Sequence, residues 1–183
     1  MLKGCLLLLS NASLRGAELI DGRPRGSKGG EAVCALPKCS NPPRVEVVEG
    51  WDLERVRLFI AKPGGPACPP YQSHYESPHG FLGDEHILTS LRSILDILGV
   101  ELDKDREGFE DAAPAILEAI SLSALLAASG DRRGINALRM LRDSHISWLP
   151  KMAVCIRTRS DHPTAQSLAM LLEWVADCVK NIV

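Results

Sequence analysis

The sequence predicts an all-α fold: a single-domain helical bundle preceded by an irregular, Gly/Pro-rich N-terminal segment. Three observations lead there. From residue 51 onward, segment after segment carries apolar residues at helical spacing, separated by caps, glycines and prolines. No stretch alternates with a period of two, and no internal repeat is visible. The chain has 183 residues, 45% hydrophobic and 4% aromatic, which suits one domain with an aliphatic core.

The elements follow in order. Leu6 to Leu9, with Cys5, reads as the apolar face of a short first helix. It is too short for the apolar stretch of a secretory leader, so export is not expected. Residues 15–50 are rich in Gly and Pro and show no sustained period, so residues 1–50 are expected to be poorly ordered or degenerate, with an extended piece at Val45 to Val48. Asp52 is expected to cap a helix through Leu53, Val56, Leu58 and Phe59. An irregular connection with Pro63, Pro66, Pro69 and Pro70 then carries Tyr71 and Tyr75.

Asp84 or its neighbours open the next helix, whose stripe is Ile87, Leu88, Leu91, Ile94, Leu95 and Leu98, with Gly99 as terminator. Pro114 suits a first turn. Ile116, Leu117, Ile120, Ala124 and Leu125 make the following helix the most apolar, so it is expected to be central with Leu125 buried. Gly130 ends it and Asp131 starts another, carrying Ile135, Leu138, Leu141 and His145. Ser147 is the expected cap of a helix with Pro150 in its first turn and Met152, Cys155 and Ile156 inside. Asp161-His162-Pro163 opens the last helix, with Leu168, Leu171, Leu172, Val175, Cys178, Val179 and Ile182. The helical domain is thus residues 51–183.

Charge narrows the function. A net charge of -2 argues against a general nucleic-acid or polybasic membrane surface, and no apolar run is long enough to span a bilayer. The six cysteines contain no C-x-x-C pair, and Cys155 and Cys178 fall inside apolar helical patterns. A reduced, buried thiol is the common state there, which predicts a reducing, cytoplasmic compartment.

Candidate chemistry is sparse. Cys34, Cys39, Cys68, His74 and His79 offer soft metal ligands, but their spacings, C-x4-C and C-x5-H-x4-H, are looser than structural zinc or iron–sulfur sites use. Cys68 or Ser73 beside His74 could be written as a nucleophile–base pair, without any strand–turn–helix elbow to hold it. The Gly-Gly pairs lack a following Gly-Lys-Ser/Thr. No catalytic residue, metal site or cofactor is therefore predicted, and the protein is not expected to be an enzyme. The irregular segment from Leu58 to Glu85 remains as the functional candidate, since long bounded loops often carry function.

The same segment carries a resemblance. Arg57-Leu58-Phe59, Pro69-Pro70-Tyr71-Gln72-Ser73-His74-Tyr75 and Gly83-Asp84-Glu85 resemble the signature of the TorD/DmsD-type redox-enzyme maturation chaperones. Gly99-Val100-Glu101-Leu102 and His145-Ile146-Ser147-Trp148-Leu149-Pro150, followed by Asp161-His162-Pro163, continue it in order over residues 51–183. The resemblance implies an all-helical cytoplasmic chaperone that binds the twin-arginine signal peptide, or the apo form, of a molybdenum-containing oxidoreductase and assists cofactor insertion before export. It implies peptide contacts at Leu58, Phe59, Tyr71 and Tyr75, arginine partners at Asp84 and Glu85, and a monomer or a domain-swapped dimer. Two departures stand out. Arg55 replaces the aromatic of the aromatic-x-x-Leu-Phe motif, and Ala113 to Leu117 keeps only Pro114 of the family's Glu-Pro-x-Asp-His element. The alternative reading is a metal- or iron–sulfur-binding helical protein using Cys34, Cys39, Cys68 and the nearby histidines. A structural helical subunit of the same reductase system is a third.

Overall fold

The computed structural model describes residue 39 and residues 42–61, 63–77, 83–101 and 110–181. These contain seven helices: α1 (Trp51–Phe59), α2 (Gln72–Glu76), α3 (Glu85–Leu98), α4 (Ala113–Ala128), α5 (Arg132–Ser144), α6 (Leu149–Arg159) and α7 (Pro163–Lys180). Among the described residues the only β-type pairing is a single antiparallel bridge between Tyr71 and Ala112. The fold is all-α.

Most helix ends follow from the sequence. Asp84 accepts a hydrogen bond from the His86 N–H and starts α3, and Gly99 at φ 70° closes it. Asp131 does the same for Arg133 at the start of α5. Pro163 occupies the first turn of α7, where its missing N–H costs nothing, and the His162 ring accepts from the Thr164 N–H. Two caps differ from expectation. Gly50, at φ 86°, begins α1, leaving Asp52 in the first turn, where its charge still complements the helix dipole. Ser147 does not cap α6; its hydroxyl donates to Glu76 on α2 instead, and Trp148 takes the cap position without a side-chain bond.

The helices pack chiefly as two pairs, α4 with α5 and α6 with α7; α3 lies on both α4 and α5, and α1 lies on α7. Gly134 sets the first pair's separation. A Cβ there would lie 2.4 Å from the Ala127 nitrogen and 2.5 Å from the Ser123 oxygen, so only glycine admits this approach. The core is aliphatic and centres on Ile94, Ile116, Leu117, Leu138, Leu141, Leu149, Met152, Ile156 and Leu172, with Trp148 fully buried among them.

Leu125 is not in that core. It is 41% exposed, although α4 is apolar on nearly every face. At about 100° per residue it lies roughly 120° round from the buried arc of Ile116, Leu117, Ile120 and Ala124. Overall apolarity marked the helix as central but did not mark which face turns inward.

The cysteines also depart from expectation. Cys68 is bonded to Cys155 and Cys39 to Cys178, so neither Cys155 nor Cys178 is a reduced thiol. Helical patterning locates a cysteine on one element and says nothing about the sulfur that a distant segment brings to it. Of the N-terminal segment, residues 1–38 and 40–41 lie outside the described residues, and with them the expected first helix at Leu6 to Leu9. Residues 42–48 are non-helical and run beside α7: Thr164 Oγ accepts from the Val48 N–H at 3.1 Å and donates to the Glu46 carbonyl at 2.9 Å. With Cys39 held at Cys178, this strap runs antiparallel to the last helix.

Candidate functional site

The segment between α1 and α3 folds back on itself before it reaches its functional residues. After α1 the chain turns so that the Cys68 N–H donates to the Leu58 carbonyl at 2.7 Å. The Cys68–Cys155 bond then ties it to α6. Pro70 and Tyr71 run beside Asp111 to Ala113: the Ala113 N–H donates to the Pro70 carbonyl at 2.8 Å and the Gln72 N–H to the Asp111 carbonyl at 2.9 Å. The short α2 follows.

Two buried polar clusters fix α2. In the first, the Asp111 carboxylate accepts from both the backbone N–H and the hydroxyl of Ser73, and Ser73 Oγ accepts from the Gly83 N–H at 3.1 Å. This joins the Tyr71–Tyr75 segment to the start of α3, where Asp84 and Glu85 stand. In the second, His145 Nδ1 donates to Gln72 Oε1 at 2.9 Å, and His145 Nε2 accepts from the Ser90 hydroxyl at 2.8 Å. Gln72 spends its amide protons on Glu76 and on the Ser144 carbonyl. A neutral imidazole satisfies both contacts. Burial of the ring pushes His145 down to about 4, with Glu76 opposing weakly.

A serine on a histidine backed by an amide has the outline of a nucleophile and base. It lacks the substance. An imidazole titrating near 4 is a weak base, and Ser90 lies within α3, whose N–H groups are spent on helix bonds rather than aimed at an oxyanion. The pairing of Cys68 or Ser73 with His74 is not made: Cys68 is bonded to Cys155, Ser73 to Asp111, and His74 is exposed, edge-on to Tyr75.

The predicted contact residues fall in different settings. Leu58 and Phe59 are 0% and 4% exposed and belong to the main core, so they anchor the loop rather than face outward. Tyr71 is half-buried, and its hydroxyl is pushed up by burial and by the Asp111 charge. Tyr75 stacks on Trp148 with centroids 5.5 Å apart; burial raises its hydroxyl too, and that oxygen has no partner among the described residues. Asp84 caps α3, while Glu85 is exposed and shares Arg92 with Glu110, at 3.5 Å and 2.9 Å respectively. Arg55 is only 7% exposed: it occupies the inward position that an aromatic would fill.

Sequence reasoning missed Glu110 and Asp111, both buried, with Glu110 Oε2 and Asp111 Oδ1 unpartnered among the described residues. Their only signal was an acidic pair shortly before Pro114. The positions where the resemblance expects Asp and His hold Ile116 and Leu117, both fully buried. The metal reading loses its donors: Cys39 and Cys68 are committed to disulfides, while Cys34 and His79 lie outside the described residues. Among the described residues no three His, Cys, Asp or Glu side chains gather as a metal site. No helix there is long and apolar enough to cross a membrane.

Comparison with known proteins agrees with the loop's motifs. A family model described as nitrate reductase delta subunit matches residues 30–154, which takes in α1 to α5 and the first half of α6. No curated protein matches the chain.

Proposed function

The chain belongs to the nitrate reductase delta subunit family, chaperones of molybdoenzyme maturation, and from that premise we propose that it binds the twin-arginine signal peptide of a molybdenum-containing oxidoreductase. It holds the apoenzyme in the cytoplasm until the cofactor is inserted, and it acts by binding rather than by catalysis; the compartment rests on the family alone, because the two disulfides remove the reduced-thiol argument for it. The observation that carries the reading is the immobilised Tyr71–Tyr75 segment. The Ser73–Asp111 and Gln72–His145 bonds hold it against the acidic start of α3. A twin-arginine peptide pairs an apolar stretch with a basic end. Tyr71 and Tyr75 offer amphipathic contact to the first, and Asp84 and Glu85 offer charge to the second. Leu58 and Phe59 support this surface from beneath.

Affinity would come from apolar burial, and selectivity from the charge pairs. Titrating one client signal peptide against the wild type and an Asp84→Asn/Glu85→Gln double variant tests this. The variant should bind at least tenfold more weakly at low salt, and the gap should narrow at high salt because screening already weakens the wild-type attraction. Its folding should change little, by about 0.3–1 kcal/mol for each lost dipole interaction. Equal affinities at low salt would remove both acids from the site.

A further inference from the structure

Helix α1 is apolar on two opposite faces. Trp51, Leu58 and Phe59 face the core, while Leu53, Val56 and Ile60 form a second stripe, 81%, 37% and 53% exposed. At about 100° per residue these three fall within roughly 60° of one another. A helix apolar on both sides is built to lie between two layers, and only the inner layer is among the described residues. The border of the stripe is acidic on balance: Asp52 lies beside Val56 on one edge, Arg57 on the other edge is paired with Glu54, and the strap leading into the helix carries Glu46 and Glu49 against Arg44. None of Asp52, Glu46 and Glu49 forms an ion pair with a described residue.

We infer that the outer face of α1 is covered by this chain's own N-terminal apolar run, Leu6 to Leu9. Charge selects this occupant over a second copy. The border carries Glu46, Glu49, Asp52 and Glu54 against Arg44 and Arg57, so two copies would meet with the same net negative charge, whereas residues 1–38 carry six basic and three acidic side chains. Lys3 and Arg15 bracket the apolar run and suit this net negative border. The reach is also right. The segment leaves the described body at Cys39, tied to Cys178 near the end of α7, while α1 begins beside His162 at the start of α7, with the Trp51 and His162 rings 5.6 Å apart. Along α7, Thr164 to Cys178 is about 21 Å. A link of residues 15–38 has a root-mean-square span of roughly 25–30 Å as a flexible coil. Tethered so, the segment acts at about millimolar effective concentration and outcompetes a free ligand of similar intrinsic affinity.

Hydrogen exchange on the full-length chain, with a Leu53→Asp/Val56→Asp variant beside it, decides the matter. Both substitutions are on the solvent side of α1, so α7 amides should keep their protection and serve as the folding control. Residues 5–14 should be protected in a monomeric wild type and should exchange at least tenfold faster in the variant. Unprotected residues 5–14 in the wild type would overturn the inference, as would protection that the variant retains. A wild-type dimer that the variant converts to monomer would overturn it by assigning the face to a second copy.

Discussion

His145 shows how one buried side chain writes a pH dependence into the fold. Its ring is neutral because burial withholds solvent from the cation, and with Nδ1 donating to Gln72 the neutral ring offers Nε2 as acceptor to Ser90. The ring titrates near 6.5 in the unfolded chain and near 4 in the folded one, so the unfolded state binds more protons between those values. Stability should therefore fall as the solution is acidified from pH 6.5 towards 4, by up to ~3 kcal/mol, since each tenfold difference in proton affinity between the two states is worth about 1.4 kcal/mol. Denaturant melts of the wild type and His145→Asn across that window should show a slope in the first that is missing from the second. Glu54 acts lower down. Hydrogen bonding from Arg57, opposed by burial and reinforced by Ser160, holds its carboxyl at about 2, so its contribution is complete above its unfolded value of 4.5 and disappears only as pH falls through 2. The His145 motif was legible in the sequence. Its partners were not, because Gln72 and Ser90 lie 73 and 55 residues away and meet it only through tertiary packing.

At the scale of elements, what was legible is what is local. Caps and stops at Asp84, Gly99, Asp131 and Pro163 are satisfied within one turn of chain, so composition alone places them. Orientation is decided between elements, and α4 demonstrates this. With apolar residues around most of its circumference it carries little moment to say which face turns inward, and Gly134 of α5 settles it by admitting the backbone at Ser123 and Ala127. Leu117 then lies in the core at 0% exposure, and Leu125 projects outward. Leu117→Ala should cost roughly 2–5 kcal/mol, through lost burial and the cavity left behind. Leu125→Ala should cost about 0.5 kcal/mol or less, since a substitution on an exposed helix face removes little packing. Comparing the two melting midpoints checks the orientation of α4 directly. The acidic border of the candidate site was half legible for the same reason: Asp84 and Glu85 announce a helix start, whereas Glu110 and Asp111 matter through Arg92 and Ser73, partners that local pattern does not reveal.

Across the whole molecule, the two disulfides join the N-terminal part of the described chain to its C-terminal helix pair. Cys68–Cys155 pins the loop after α1 to α6, inside the main core, where Cys68 is fully buried. Cys39–Cys178 pins the far end of the strap to α7 in a separate small cluster with Ala124 and Trp174. Their sequence separations are 87 and 139 residues, so each removes a large loop from the unfolded ensemble. On the chain-entropy account each contributes about 4–5 kcal/mol, less any strain in the folded state. Removing either should lower the melting temperature by roughly 10 °C for a chain of this size. The outcomes should still differ in kind. Cys39→Ser/Cys178→Ser frees the strap end while the main core stays closed, so the amides of α6 should keep their protection from hydrogen exchange. Cys68→Ser/Cys155→Ser loosens the loop beneath Tyr71 and Tyr75, so it should also weaken signal-peptide binding. Thiol counting under denaturing, non-reducing conditions comes first: with four of the six cysteines bonded, no more than two free thiols should be found, and six would overturn both disulfides.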